Sequence, residues 1–411
     1  MINIEAFPAS YGESILVSLG EDNLKNILID CGFVSTYNNH IKKRLTELSE
    51  NGQAIDLFVL THFDADHIRG AVNFLKENGR YDKPKIIAIE DIWINLLKHV
   101  DFGSHKVKLS EQDKIKLKTI LRKRYPIELF NRHVNDISSS DSLTLSELIC
   151  RGNYENNKSF NGGLIVANKE SNVVNLDGGI KIKILSPTID KIEELNKVWV
   201  NELLKLGLKF NFNNNGELSE AFEKLLVNII PSINRGLLRN CSSEKDIVKA
   251  LSENDVFSED TDPVNGSSIA FILEYGEKRI LLLGDSHPSV IEEGIKKEMG
   301  EKNQKLKVDL IKIAHHGSGG NITKGLLEMI DCDKFLICTN GARYSHPDPE
   351  SISRIITANR DKEKVIIMNY ETPSIKKFLS KKLMEKYRYS IVCTNKMGMD
   401  NKKCKITYVR V

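Results

Sequence analysis

The feature that most constrains this chain is a junction: Ile55-Asp56-Leu57-Phe58-Val59-Leu60-Thr61 runs straight into His62-Phe63-Asp64-Ala65-Asp66-His67. The first segment, apolar and partly β-branched, reads as a buried strand. Four metal-grade side chains follow within six positions. Imidazole and carboxylate together suit zinc, manganese and iron. Alternate residues of an extended segment face one way, so His62, Asp64 and Asp66 can converge, and His67 joins them if the chain then turns. Such charge at the mouth of a hydrophobic strand is costly unless a cation neutralises it. The bland alternative is a solvated acidic turn with two incidental histidines.

The second half repeats the pattern. Arg279-Ile280-Leu281-Leu282-Leu283 ends at Gly284-Asp285, with Ser286-His287 after it, and Leu310 to Ala314 ends at His315-His316-Gly317-Ser318. A third apolar strand ends at Thr339-Asn340-Gly341, shortly before Ser345-His346-Pro347. Strand ends of this kind are where α/β proteins gather ligands. His287 is expected to be an exposed loop residue. His40, His99, His105 and His133 lack a carboxylate-rich strand end and are expected on the surface or in packing.

The two ends of the chain read as sheet and the middle as helix. Strands are expected at Ile2 to Phe7, Ser14 to Leu19, Asn26 to Ile29, Asp56 to Leu60 and Lys85 to Ile89. Helical patterning covers Asp91 to Leu129, Leu143 to Ile149, Ile189 to Leu206, Glu217 to Val227 and Glu244 to Leu251. Strands are expected at Leu164 to Ala167 and Ile180 to Leu185, and again from Ser268 onward to Val409. With 411 residues, 40% of them hydrophobic, there is ample material for a core. The simplest organisation is one α/β core interrupted by helical insertions.

A net charge of +3 does not by itself imply nucleic acid. Local charge says more: Lys106, Lys108, Lys114, Lys116, Lys118, Arg122, Lys123 and Arg124 crowd one stretch, and Lys376, Lys377, Lys381, Lys382, Lys386 and Arg388 another. Each is either a solvated helix face or a track for a phosphate backbone. Seven cysteines with no C-x-x-C pair fit reduced structural thiols. No signal peptide or membrane-length apolar run is evident. A cytoplasmic protein with no membrane partner is expected.

These residues resemble the metallo-β-lactamase fold, and within it the hydrolase domain of the ComEC competence proteins. His62 to His67 look like that branch's H-x-D-x-D-H form of the second motif. Tyr11-Gly12-Glu13-Ser14 and Ile29-Asp30-Cys31-Gly32 are similar to its early motif. Asn265-Gly266-Ser267, Gly284-Asp285, His315 to Ser318 and His346-Pro347 match its later ones. The resemblance implies an α/β, four-layer αββα sandwich with inserted helical segments and a metal site at one edge of the two sheets. The core would comprise 1–90, 164–187 and 256–411. The insertions, 91–163 and 188–255, would form a cap or a surface for a protein partner or a homo-oligomer. Two departures stand out: the third-motif histidine of the wider family has no match, and the usual H-I-G-G is His67-Ile68-Arg69-Gly70.

By motif position, the resemblance implies two divalent ions, zinc or manganese. His62 and Asp64 would hold one, Asp66 and His67 the other, with Asp285 bridging and His315 or His316 completing the set. Asp66 and His346 would serve catalysis, His346 by giving a proton to the leaving oxygen or by binding phosphate. Asn265, Ser267, Ser318, Lys116, Arg122 and Arg124 would meet substrate. The function expected is a metal-dependent phosphodiesterase or nuclease acting on DNA. The alternatives are hydrolysis of a small phosphoester, phosphorylcholine ester or lactone, and a partner-binding subunit of a bacterial defence system.

Overall fold

A computed structural model describes residues 1–21, 24–96, 99, 144–167, 172–205, 246–300 and 304–411, with the side chains of 199–205 left aside. One sheet comprises β1 (Ile2–Ala6), β2 (Ile15–Leu19), β3 (Lys25–Ile29), β4 (Leu57–Val59), β5 (Ile92–Trp93) and the last strand, β14 (Thr407–Arg410). Its order is β14-β1-β2-β3-β4-β5. The other comprises β6 (Val173–Leu176), β7 (Ile180–Ser186), β8 (Ala270–Tyr275), β9 (Lys278–Leu282), β10 (Leu310–Lys312), β11 (Lys334–Ile337), β12 (Lys364–Tyr370) and β13 (Tyr389–Asn395). These lie in the order β13-β12-β11-β10-β9-β8-β7-β6. From β9 to β13 neighbouring strands are parallel, and β6 to β9 are antiparallel.

Period-two alternation explains the layers. Ile2, Ile4, Val17, Ile27, Ile29 and Val59 face Ile182, Ile184, Phe271, Leu273, Ile280 and Leu282 between the sheets. The intervening residues Leu16, Leu28 and Phe58 point outward, onto α1 (Lys42–Glu50), α2 (Ala65–Asn78) and α3 (Leu145–Arg151). On the far side Ile272, Leu281, Ile311 and Ile337 meet α6 (Pro288–Met299), α7 (Lys324–Met329) and α8 (Pro349–Thr357). Strands covered on both faces read as near-continuous apolar runs, which is why so many were visible in the sequence. The result is the expected αββα order of layers.

Local departures have tertiary causes. The stretch from Asp91, expected to be helical and to open the first insertion, begins instead as β5. Phe58 pairs with Ile92 and Val59 with Trp93, whose ring is wholly buried between the sheets. Packing here overrides local helical patterning. Leu164 to Ala167 form no strand, whereas Val173–Leu176 form an edge strand that alternates exposed and buried residues. Lys85 to Ile89 contribute one isolated bridge, Ile55 to Ile89. Within the second insertion α4 (Ile189–Lys205) and α5 (Ile247–Glu253) are helices, and Val248 of α5 packs into the outer core. The expected helix Glu217 to Val227 lies outside the described residues, as does most of Asp91 to Leu129. Among the described residues no helix is long and apolar enough to cross a membrane.

Candidate metal centre

β4 ends at Val59, and Asp64 caps α2, its carbonyl accepting from the His67 and Ile68 amides at 3.0 and 3.1 Å. This sharp turn throws His62, Asp64, Asp66 and His67 to one side. Asp66 lies in the first turn of α2, where the helix dipole favours a carboxylate. The turn is held against the Cys31–Phe33 loop: the Cys31 amide donates to His67 O at 2.9 Å and the Gly70 amide to Gly32 O at 2.8 Å. A Cβ at Gly70 would sit 2.1 Å from Cys31 O, so only glycine permits this approach. Opposite, Asp285 follows β9 with its amide donating to Ser268 Oγ at 3.0 Å. His315 and His316 both adopt left-handed backbone, φ 43° and 55°. Two consecutive non-glycine residues in that region mark strain of a kind concentrated at functional sites. Here it turns adjacent imidazoles toward one point.

The tautomers are set by hydrogen bonding. His67 Nδ1 donates to Asp30 Oδ2 at 2.7 Å. The Thr61 hydroxyl donates to the same oxygen at 2.7 Å, which leaves Thr61 Oγ1 to accept from His62 Nδ1 at 2.9 Å. His315 Nδ1 donates to Asn321 Oδ1 at 3.0 Å, and His316 Nδ1 to Cys338 O at 2.8 Å. All four rings therefore present Nε2, and all four Nε2 atoms surround one atom, Asp285 Oδ2, at 3.7, 3.4, 3.8 and 3.9 Å. Asp64 Oδ2 lies 3.7 Å from His62 Nε2, and Asp66 Oδ2 lies 3.4 Å from His316 Nε2. His62 Nε2, His67 Nε2, His316 Nε2 and Asp285 Oδ1 are buried with no hydrogen-bond partner. Buried polar atoms without partners are rare and costly. Convergent lone pairs backed by carboxylate or carbonyl acceptors are the arrangement that metal sites use.

Two overlapping triads meet the geometry for a cation: His62, His67 and Asp285, and Asp66, His67 and His316. One Nε2 cannot serve both. His67 can therefore join only one of the two groups at a time. The sequence left open whether His315 or His316 takes part; both point inward. Without a cation the cluster must hold protons. Burial disfavours charge on His315, but Asp285 and Asp260 outweigh it and raise its pKa to about 10. Burial would raise Asp66, yet the closely placed His316 ring and the charge of His67 hold it down at about 2.

Several supporting residues carried no sequence signal of their own. Asp260 Oδ2 accepts from Asn265 Nδ2 at 2.8 Å and Asn321 Nδ2 at 2.9 Å, and lies 3.4 Å from His315 Nδ1. Lys312, wholly buried on β10, pairs with buried Glu13 and donates to Ile313 O at 2.7 Å. The Glu13 amide donates to Asp66 O at 3.1 Å, so this ion pair ties the early loop to both sheets.

The expected substrate residues fare unevenly. Asn265 is buried behind His315, supporting Asp260 instead of facing outward. Ser267 is buried with its hydroxyl donated to Val264 O at 2.6 Å, inside its own turn. Ser318 Oγ accepts from the Gly320 amide at 3.3 Å. Lys116, Arg122 and Arg124 lie outside the described residues, as do His105 and His133. His346 donates from Nδ1 to Asp348 Oδ1 at 3.1 Å and its ring lies 5.5 Å from that of His315. Burial lowers its pKa against the opposing pull of Asp348, leaving the ring neutral at neutral pH. His287 is not exposed: it is 2% accessible and donates from Nε2 to Asp262 O at 3.0 Å, because it caps α6 against the 262–266 turn. The second basic run is exposed, with Lys376 and Lys386 paired to Glu371 and Asp246, as a solvated face would be.

Sheet order and layers are those of the metallo-β-lactamase fold. Residues 11–129 match the family model described as the metallo-beta-lactamase superfamily. No curated protein sequence matches the chain. Among solved structures, it is similar to a metal-dependent hydrolase of the beta-lactamase superfamily at 9% identity and TM-score 0.36, over 100% of this chain and 99% of that one. It is also similar to a variant of the CmlA beta-hydroxylase at 9% identity and TM-score 0.35, over 100% of this chain and 54% of that one. Likenesses this distant carry no property of those proteins to this chain.

Proposed function

We propose that this chain is a metal-dependent phosphodiesterase with a dinuclear centre, acting on nucleic acid, DNA above all. The observation that carries the reading is the convergence of four Nε2 atoms on Asp285 Oδ2, three of them buried without partners. Two divalent cations held there would supply a water of near-neutral pKa and would offset charge developing on a phosphoryl group. The chain's own residues do the rest. Asp30, Thr61, Asn321 and Cys338 O fix the tautomers. Asp66 holds its position from the first turn of α2, with a carboxylate that stays ionised. His346, neutral and braced by Asp348 at Nδ1, presents a bare Nε2 beside the centre that can accept a proton or a hydrogen bond from substrate. Three carboxylates among the candidate ligands make the set hard, which favours manganese over zinc. The choice of nucleic acid rests on the motif resemblance to the ComEC branch and on the basic run 106–124.

The test is purified protein loaded with Mn²⁺, Mg²⁺ or Zn²⁺ and offered single- and double-stranded DNA, bis(p-nitrophenyl) phosphate and a lactone. Cleavage of DNA that is lost in Asp66→Ala supports the reading. Turnover of the small esters or the lactone alone would move the assignment to small substrates. No turnover in a metal-replete protein would favour a partner-binding role for the insertions.

A further inference from the structure

The loop before His346 carries an arginine whose surroundings are unusual. Arg343 is exposed, and its guanidinium lies 5.5 Å from the Tyr11 ring and 5.0 Å from the Tyr344 ring. It donates to the Tyr11 hydroxyl at 3.4 Å; among the described residues no carboxylate lies in ion-pair contact with it, though the charge of Asp66 reaches it. An exposed arginine usually finds either water or an acid; two aromatic faces instead hold the side chain and leave its donor edge without an acid in direct contact. The platform is anchored. Asn340 N–H donates to Ser10 O at 2.8 Å, which brings the Arg343 loop to the Tyr11 loop, and Ala342 N–H donates to Asn340 Oδ1 at 2.9 Å. Gly341 closes the loop at φ 69°, where a Cβ would meet His346 O at 2.9 Å.

The platform also adjoins the metal centre. From the His315 ring the next aromatic ring is His346 at 5.5 Å, then Tyr344 stacked on His346 at 5.9 Å, then Tyr11 edge-on at 6.3 Å. Asp285 and His316 are buried at the bottom, while Arg343 stands at the rim. Tyr344 stacks on His346, and the guanidinium lies over the Tyr11 and Tyr344 rings. What the rim offers is a fork of N–H donors, the geometry that matches phosphate oxygens.

We propose that Arg343, clasped by Tyr11 and Tyr344, is an anion-binding arm that takes the phosphate next to the scissile one on a polynucleotide strand. The inference rests on the phosphodiesterase reading and deepens it, since a small monoester or lactone has no second phosphate to offer. Tyr11 and Tyr344 are positioning residues, acting through the guanidinium.

Binding of fluorescein-labelled oligothymidylate, followed by anisotropy in EDTA, tests the arm without cleavage. Arg343→Ala should weaken binding about tenfold, the loss of one charge-assisted contact, and lower the salt slope by roughly one. Arg343→Lys should recover part of the affinity but not the fork. In wild type, replacing backbone phosphates one at a time by methylphosphonate should reveal one position that costs about tenfold; in Arg343→Ala that position should cost nothing further. Equal affinities and salt slopes for wild type and Arg343→Ala, or a methylphosphonate penalty that persists in Arg343→Ala, would overturn the arm. Should Arg343→Ala fail to fold, Arg343→Lys with the same methylphosphonate series decides. Failure of cleavage with Arg343-dependent binding intact would overturn the phosphodiesterase reading and leave the arm standing.

Discussion

Asp30→Asn separates metal chemistry from folding. Asp30 is wholly buried and holds three donors: His67 Nδ1 and the Thr61 hydroxyl on Oδ2, and the Thr61 amide on Oδ1 at 2.9 Å. Its backbone sits at φ 52°, a conformation asparagine adopts more readily than most residues, so the substitution adds no strain. The amide keeps one oxygen for the Thr61 N–H. Its NH₂ then faces two donors. Thr61 can rotate its hydroxyl, but His67 can relieve the clash only by carrying its proton on Nε2, the atom that faces Asp285. A hydrogen bond to a charged partner contributes about 1.5–3 kcal/mol, and losing one should lower the stability of the chelator-treated protein by about that much. Metal affinity should fall about 10–100-fold, the usual effect of removing a ligand's outer partner. Competition against a chelating dye measures the affinity, elemental analysis the stoichiometry, and circular dichroism the fold. A folded Asp30→Asn protein with wild-type affinity for both equivalents would refute the view that donation to Asp30 sets the ligand tautomer.

Further outcomes follow from the same geometry. Metal-replete wild type should carry about two ions per chain and Asp285→Ala markedly fewer, by elemental analysis; one ion or none in wild type would overturn the dinuclear assignment. In metal-free protein the raised pKa of His315 adds stability that is complete below pH 6.5 and is lost as pH rises toward about 10, so melting temperature should fall across that window. Metal binding needs the neutral ring, so affinity should rise over the same window, and flat profiles in both would contradict the assignment. Asp66→Ala should abolish hydrolysis with little change in melting temperature, whereas His287→Ala should mainly cost stability, about 1–3 kcal/mol for the unpaired Asp262 carbonyl. Neutralising Lys116, Lys118, Arg122, Lys123 and Arg124 together should weaken DNA binding and flatten its salt dependence by roughly one unit per lost phosphate contact, and unchanged binding would return that run to a solvated helix face.

The strands and the ligand-bearing turns were legible because they obey local rules. An apolar run such as Leu57 to Leu60 announces its own burial, and residues like His62 or Asp285 stand out by contrast at its end. The supporting residues were not legible, because their role is relational. Asp260 is one more acid in an acidic loop until Asn265, Asn321 and His315 close around it. Lys312 breaks an apolar run without hinting that Glu13 lies across from it. His287 misled for the opposite reason: a polar residue after Gly-Asp-Ser looks solvated, yet the 262–266 turn covers it. Ile92 and Trp93 share helix-like spacing with their neighbours and become strand only because β4 offers an edge.

The buried Glu13–Lys312 pair couples one loop of the first sheet to a strand of the second, directly beneath the metal centre. Neither half of the chain can complete the ligand set alone, since His62 to His67 belong to one sheet and Asp285 to His316 to the other. Under the proposed function, metal content would be a gauge of how well the two sheets are docked. A substitution far from the ligands that loosens the docking, Glu13→Gln among them, should release metal before any strand unfolds. A metal-poor preparation would then report a sprung joint, not a missing ligand.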